Sequence, residues 1–203
     1  PYVHALSDGG FIVGYNSTNT GDGGTGIYSQ RFNSSGSAIG TETKANTTSG
    51  LQRSGAAIAS LPDGGFVITW EALDQDGSHF GIYGQRHDAF GQKSGSEFQI
   101  NTETNGAQHQ PSVSALSDGG FVVAWTGLNN GFEAVYGKRF DHAGTSVGNE
   151  FLINTYLDSS QGTPSITALS SGGFVVTWDS GSRGNGATGI IYAQRFSSTY
   201  SSP

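Results

Sequence analysis

The chain has 203 residues and a formal net charge of −7, and only 12% of its residues are charged. It has 33 glycines and no cysteine, which excludes disulfides, thiolate metal sites and a cysteine nucleophile. The acidic balance argues against a nucleic-acid partner, because phosphate binding depends on clustered Lys and Arg. No apolar run approaches the ~18 residues that span a bilayer, so we expect no membrane insertion.

A repeat with a Gly-Gly pair organises the chain. Its first glycine stands at Gly9, Gly64, Gly119 and Gly172, so the period is 55, 55 and 53 residues. A second block, of the type Ile-Tyr-x-Gln-Arg-Phe, follows each Gly-Gly block, and a third, of the type Glu-Phe-x-Ile-Asn-Thr, follows in the first three repeats. The copies of the second block are Ile27–Phe32, Ile82–His87, Val135–Phe140 and Ile191–Phe196. The copies of the third block are Glu97–Thr102, Glu150–Thr155 and the degenerate Glu42–Thr47.

Each repeat predicts four short strands. In the third copy, strand one is Ser112–Leu116, and strand two, Phe121–Trp125, has the β-branched and aromatic residues that strands favour. The Ser-Asp-Gly-Gly between them is typical of a hairpin turn. Strand three carries the Tyr-x-Lys-Arg-Phe block, and strand four is Phe151–Asn154. No segment has helical periodicity free of breakers, so helix should be nearly absent.

Antiparallel four-stranded units of about 50 residues, repeated in tandem, are typical of β-propeller blades. We therefore predict an all-β chain, residues 1–203, that forms a single repeat domain. Its blades cover approximately 1–55, 56–110, 111–163 and 164–203, and the last blade lacks its outer strand. The alternative is that these blades are part of a larger propeller.

The three blocks also resemble the propeller-type repeats of large secreted Gram-negative bacterial repeat and adhesin proteins. The resemblance covers essentially the whole chain, with Tyr15, His87 and Ser171 as departures from the pattern. It implies a secreted, extracellular protein. It carries over no catalytic residue, because that group has no single agreed activity.

Two recurrent residue types are predicted to be structural. The arginine of strand three either contacts an anion or sugar or forms an internal ion pair, with a strand-four glutamate or with the turn aspartate, and we favour the ion pair. The aromatic residue that ends strand two alternates with core residues, which favours packing over sugar stacking, and the small residue of strand three is expected to make room for it. The predicted structural residues are Arg31, Arg86, Arg139, Arg195, Trp70, Trp125 and Trp178.

The loops between strands two and three vary between repeats, and in a propeller they share one face with the loops that join strand four to the next blade. Binding residues commonly lie on such loops above a rigid scaffold. The predicted ligand-binding residues are Asp74, Asp76, Ser78, His79, Gln108, Asn129, Asn130, Asp179 and Asn185. No cofactor is firmly indicated, but an Asp-x-Asp-Gly loop offers the oxygen ligands that Ca²⁺ prefers. The candidate metal ligands are Asp22, Asp74 and Asp76.

The polar loop face predicts a non-enzymatic, lectin-like module that binds carbohydrate or cell-surface glycans, and the resemblance implies that this module is secreted and serves in adhesion. A structural unit that assembles with itself, or with neighbouring domains of a longer chain, is the alternative. A polysaccharide-degrading enzyme ranks last, since Asp74 and Asp76 are the only close acidic pair on a candidate loop and glycosidases need paired carboxylates.

Overall fold

The structure is a computed structural model that describes residues 1–18, 21, 23–157, 159–181 and 189–198. All regular elements in this part are β-strands, and no described helix is long and apolar enough to cross a membrane. The strands are β1 (Tyr2–Ala5), β2 (Phe11–Ser17), β3 (Gly26–Phe32), β4 (Ala38–Lys44), β5 (Arg53–Ser60), β6 (Phe66–Leu73), β7 (Phe80–His87), β8 (Lys93–Gln99), β9 (His109–Ala115), β10 (Phe121–Asn129), β11 (Phe132–Phe140), β12 (Ser146–Leu152), β13 (Gln161–Ala168), β14 (Phe174–Ser180) and β15 (Ile190–Phe196).

These strands form four antiparallel sheets, each built from consecutive strands of one repeat. The first three sheets have four strands, and the fourth has three, β13 to β15. The first strand of each sheet lies beside the first strand of the next, from β1 to β5, β9 and β13. The predicted all-β propeller, with a last blade of three strands, is confirmed. The second to fourth sheets begin at Arg53, His109 and Gln161, two or three residues before the blade boundaries that we predicted.

The hydrophobic core consists of three clusters, one between each pair of consecutive blades. Strand two contributes side chains to the core clusters on both sides of its blade, because successive side chains point to opposite faces of the sheet. In the second blade, Phe66, Ile68 and Trp70 pack against the first blade, and Val67 packs against the third. Burial of both faces explains why strand two is almost continuously apolar.

In the third blade, strand four covers only the first two of the four residues that we predicted, Phe151 and Leu152. In the third blade it runs over Ser146–Leu152, and Ile153 and Asn154 follow it. The asparagine leaves the strand because its side chain bonds the backbone of strand three: Oδ1 of Asn154 accepts a hydrogen bond from the N–H of Val135 at 2.7 Å. Asn101 and Asn46 accept equivalent bonds from strand three in the second and first blades, at 2.8 and 2.9 Å.

The small residue of strand three makes room for strand four, and not for the tryptophan as we expected. A Cβ atom at Gly84 would lie 2.9 Å from Cζ of Phe98 and 3.2 Å from Cδ1 of Ile100. The cause is the register, since Gly84 is the cross-strand partner of Phe98 whereas Trp70 is paired with Tyr83.

Candidate functional site

At one face of the propeller, the end of strand two in one blade meets the start of strand one in the next blade. A cavity of about 240 Å³ opens there between the third and fourth blades. We call it the site cavity. Its lining residues are His109, Gln110, Glu133, Ser160, Gly162, Thr163, Asp179 and Gly181.

Two carboxylates from different blades line the site cavity. Asp179 lies near the end of β14, opposite Gly162 of β13, and its Oδ1 is buried without a hydrogen-bond partner among the described residues. Glu133 lies at the start of β11, and its Oε1 is 3.1 Å from Nε2 of His109. Leaving a buried oxygen without a donor costs free energy, so Asp179 is a polar group of this cavity that the described residues do not satisfy.

The backbone beside these carboxylates is strained. Gln110 and Thr163 have φ angles of 57° and 48°, in the left-handed region that side chains other than glycine seldom adopt. Each belongs to a β-bulge at the start of strand one of its blade, β9 or β13, opposite Trp125 and Trp178 respectively. The second blade has Gly55 at the corresponding bulge, with a φ of 60°. Non-glycine residues in this conformation cost about 1–3 kcal/mol and cluster at functional sites.

Gln110 holds three blades together at this point. Its N–H donates to Oε2 of Glu71 in the second blade at 3.1 Å. Its side-chain Oε1 accepts from Oγ1 of Thr126 at 3.2 Å and from the N–H of Thr163 in the fourth blade at 3.1 Å. Gln110 therefore connects the Glu71 carboxylate of the second blade to Thr163 of the fourth blade, which lines the site cavity.

Glu71 and Asp179 occupy the same place in their repeats, directly after the recurrent tryptophan. The other two repeats have Asn16 and Thr126 there. The end of strand two therefore presents a carboxylate, an amide or a hydroxyl while the framework beneath it is constant. Sequence reasoning included Asp179 only as a loop residue and missed Glu71, Glu133, His109 and Gln110. The signal that could have found Glu71 is this alternation after the tryptophan.

A second cavity, of about 530 Å³, lies at the tip of the β10–β11 hairpin, and we call it the hairpin cavity. Leu128, which lines it, is the cross-strand partner of Glu133, which lines the site cavity. Residues of this one hairpin therefore line both cavities. The residues of the hairpin cavity are Glu103, Asn105, Leu128, Asn129, Asn130, Gly131 and Tyr136.

The predicted binding loop of the second blade lies apart from the residues of both cavities. Asp74 and His79 have φ angles of 58° and 47°, and the N–H of Asp74 donates to the carbonyl of His79. Oδ1 of Asp76 accepts from the N–H of Ser78 at 3.2 Å, and its Oδ2 is 3.4 Å from Nδ2 of Asn101. These groups therefore bond their own loop and the segment that follows strand four.

The remaining predicted ligand-binding residues fall in different places. Gln108 is buried and bonds its own segment, through the carbonyls of Asn105 and Gly106 and the side chain of Asn101. Asn129 and Asn130 line the hairpin cavity, and Asp179 lines the site cavity. Asn185 lies outside the described residues.

The candidate calcium site is only partly described. Asp22 lies outside the described residues, and Asp74 and Asp76 belong to the loop above. Within the part of the chain that the structure describes, no group of three or more His, Asp or Glu side chains is arranged to hold a metal ion.

The recurrent arginines pair with the turn aspartates, which is one of the two ion-pair partners that we considered. Nη2 of Arg86 lies 2.9 Å from Oδ2 of Asp63, and Nη2 of Arg139 lies 2.8 Å from Asp118. Arg31 and Asp8 form the same pair in the first blade. The fourth blade has Ser171 at the aspartate position, and its Arg195 is exposed, without a described carboxylate partner.

The tryptophans are buried between blades. Trp70 and Trp125 are fully inaccessible and Trp178 is 6% exposed. Trp125 and Trp178 stack on tyrosines of strand three, with ring centroids 6.3 and 6.1 Å apart. In the described structure none of the three faces either cavity.

No family model and no curated protein matches the sequence. Solved structures do match the fold. An endo-arabinase from Bacteroides thetaiotaomicron is 14% identical, with 96% of this chain and 73% of that chain covered and a TM-score of 0.57. An endo-1,4-beta-xylanase from the same species is 12% identical, with 97% and 70% covered and a TM-score of 0.57. An alpha-L-arabinanase from Penicillium chrysogenum, complexed with arabinobiose, is 16% identical, with 96% and 56% covered and a TM-score of 0.61.

These likenesses show the fold, a β-propeller of the kind found in glycoside hydrolases. They contradict our expectation of a non-enzymatic binding module, because the similar structures are carbohydrate-degrading enzymes. We ranked a polysaccharide-degrading enzyme last because we found only one close acidic pair on a candidate loop, but Glu133 and Asp179, which come from different blades, line one cavity. The carbohydrate part of the expectation agrees with these neighbours.

Proposed function

We propose that this chain is a glycoside hydrolase that cleaves a polysaccharide in the site cavity, with Glu133 and Asp179 as its carboxylate pair. The observation that carries the proposal is that these two side chains, from different blades, line one open cavity. Hydrolysis of a glycosidic bond needs one carboxylic acid to protonate the leaving oxygen and one carboxylate on the other side of the sugar.

The surroundings of the two carboxylates suit different roles. Glu133 is partly exposed, with its Oε1 3.1 Å from Nε2 of His109, so the proton that it gives to the leaving group can be replaced from solvent. This suits the general acid. Asp179 lines the site cavity and its buried Oδ1 has no described donor, and we assign it the role of the carboxylate that activates water for attack on the sugar. In this mechanism Glu133 gives its proton to the leaving oxygen as the carbon–oxygen bond breaks, and Asp179 assists the incoming nucleophile.

The fold neighbours suggest the first substrates to test, which are arabinan and xylan. Because such polymers are extracellular, the proposal includes a secreted location. The resemblance of the repeats to those of large secreted Gram-negative proteins supports the same location and remains part of the proposal.

The test is the release of reducing ends from arabinan and xylan by the purified protein. Asp179→Asn and Glu133→Gln should each lower the rate about 100-fold or more, the usual effect of removing an acid or base group. Asp88→Asn is the matched control, since Asp88 lies in the turn between β7 and β8, outside the described linings of both cavities. Equal rates for the wild type and both site variants, or no release of reducing ends from any polysaccharide, would refute the proposal.

A further inference from the structure

The fourth blade has an open edge where the other blades have strand four. Among the described strands β15 pairs only with β14, whereas β3, β7 and β11 each lie between two strands of their sheets. Ile191 of β15 is 68% exposed, and the residues at its position in the other blades, Ile27, Ile82 and Val135, are fully buried. An unpaired strand edge with an exposed apolar residue is a template for a further strand.

The backbone of Ile191 is oriented to bond such a strand. In the second blade the carbonyl of Ile82 accepts from the N–H of Ile100 at 2.8 Å, and the N–H of Ile82 donates to Oδ1 of Asn101 at 2.8 Å. Both partners belong to the third block of the repeat. Ile191 is paired with Asp179 in the same register, so its N–H and carbonyl point away from β14, toward the open edge.

Gln194 is also placed to hold a fourth strand. In the first and second blades the corresponding Gln30 and Gln85 donate from Nε2 to two carbonyls, that of the next arginine and one of strand four. The bonds to strand four measure 3.0 and 3.1 Å. Nε2 of Gln194 makes the first of these two bonds, to the carbonyl of Arg195 at 3.2 Å. Its amide therefore has the orientation that meets strand four in the other blades.

The small residue of strand three decides which side chains a fourth strand can have. In the second and third blades it is glycine, and a Cβ atom at Gly84 would lie 2.9 Å from the strand-four phenylalanine and 3.2 Å from the isoleucine after it. In the first blade it is Ser29, and there the third block has Thr43 and Ala45 instead. Ala193 also has a Cβ atom, so the open edge of β15 favours the first-blade form of the block.

We infer that the edge of β15 binds an extended segment of another polypeptide with the pattern Glu-Thr-x-Ala-Asn-Thr, in the place of strand four. The asparagine of this segment accepts from the N–H of Ile191. Its glutamate accepts from the N–H of Thr155 in the third blade, as Glu150 does from that of Thr102 at 2.7 Å. A second copy of this chain has no such segment to donate, because each of its three third blocks lies at strand four of its own blade.

The test measures the binding of two fluorescently labelled peptides to the purified protein by fluorescence anisotropy. One peptide copies residues 38–47, the first-blade form, and the other copies residues 146–155, the form with phenylalanine and isoleucine. The first should bind about tenfold more tightly, because the Cβ atom of Ala193 crowds the phenylalanine ring of the second. Ala193→Gly should remove this preference by strengthening the binding of the second peptide. Alanine in place of the asparagine of the first peptide should weaken its binding about tenfold.

Two exposed apolar residues provide a matched pair of variants. Ile191→Ser removes the apolar contact at the open edge and should weaken the binding of the first peptide about tenfold. Val3→Ser is the control, since Val3 is 73% exposed on β1 of the first blade and its replacement should leave the binding unchanged.

A wild type that binds neither peptide, or that binds a scrambled form of the first peptide equally well, would overturn the inference. A wild-type preference for the second peptide would overturn the size rule at Ala193. A dimer that Ile191→Ser weakens, without binding of either peptide, would assign the edge to a second copy of the chain and overturn the donated segment. Hydrolysis is not measured, so these outcomes are independent of the proposed activity.

Discussion

His87 places an ionisable ring at a core position where the other blades have phenylalanine. It is fully buried and stacks on Phe66 with ring centroids 4.7 Å apart, and neither ring nitrogen has a hydrogen bond of good geometry in the described structure. Burial lowers the pKa of His87 to about 4, and the Lys93 ammonium adds to the shift, while the Gln85 backbone and the Asp88 carboxylate oppose it. The unfolded chain therefore takes up a proton near pH 6.5, and the folded chain does so only near pH 4.

The sign of the effect follows from this difference. Because the unfolded state binds more protons between pH 6.5 and pH 4, the free energy of unfolding falls as the pH drops through this window. One pKa unit corresponds to about 1.4 kcal/mol, so the cost at pH 4.5 is about 2.5 kcal/mol. His87→Phe removes it and restores the residue of the other blades. For a chain of this size we expect a gain in Tm over the wild type that is about 5–10 °C larger at pH 4.5 than at pH 7.5.

The assay is thermal unfolding followed by circular dichroism at pH 7.5, 5.5 and 4.5. Other groups titrate in both proteins, so the difference between the two isolates His87. His142→Gln is the control, since His142 is exposed and its replacement should leave the pH dependence unchanged. If the Tm values of wild type and His87→Phe fall in parallel from pH 7.5 to pH 4.5, the buried-histidine argument is wrong.

Two further substitutions test the framework. Asn101→Ala leaves the buried N–H of Ile82 without its acceptor, which should cost about 1–3 kcal/mol in urea unfolding; an unchanged midpoint would contradict the role of this asparagine. Gly137→Ala places a Cβ atom 2.9 Å from Cζ of Phe151 and should cost about 1–3 kcal/mol, whereas Ala193→Gly in the blade without strand four should change the stability much less. Equal losses of unfolding free energy in the two blades would show that contact with strand four is not the reason for the small residue.

Much of the fold could be predicted from the sequence because the same pattern of strands and turns recurs in four repeats. The Gly-Gly turns and apolar runs locate strands one to three to within a few residues. Strand four was misplaced because Ile153 and Asn154 match the strand pattern by composition, whereas β12 ends at Leu152 and Oδ1 of Asn154 accepts a hydrogen bond from the N–H of Val135. A side-chain bond to the backbone cannot be recognised in a pattern of apolar and polar residues.

The candidate site was harder to predict because it depends on contacts between blades. Asp179 and Glu133 are 46 residues apart in the numbering and belong to different repeats. The left-handed backbone at Gln110 and Thr163 is also invisible in the sequence, since neither residue type favours it. Only Gly55 at the corresponding place suggests that the bulge demands a positive φ.

The turn aspartate has a second consequence, for how the propeller opens. In three blades Oδ1 of this residue accepts from the backbone of the second turn glycine, as Asp63 does from Gly65 at 2.9 Å, and Oδ2 holds the arginine of strand three. The fourth blade has Ser171 instead, and its sheet has three strands. Amide hydrogens of β14 and β15 should therefore exchange with solvent faster than those of the other sheets. Asp179 lies on β14, so we expect local opening of this blade to disrupt the site cavity as well.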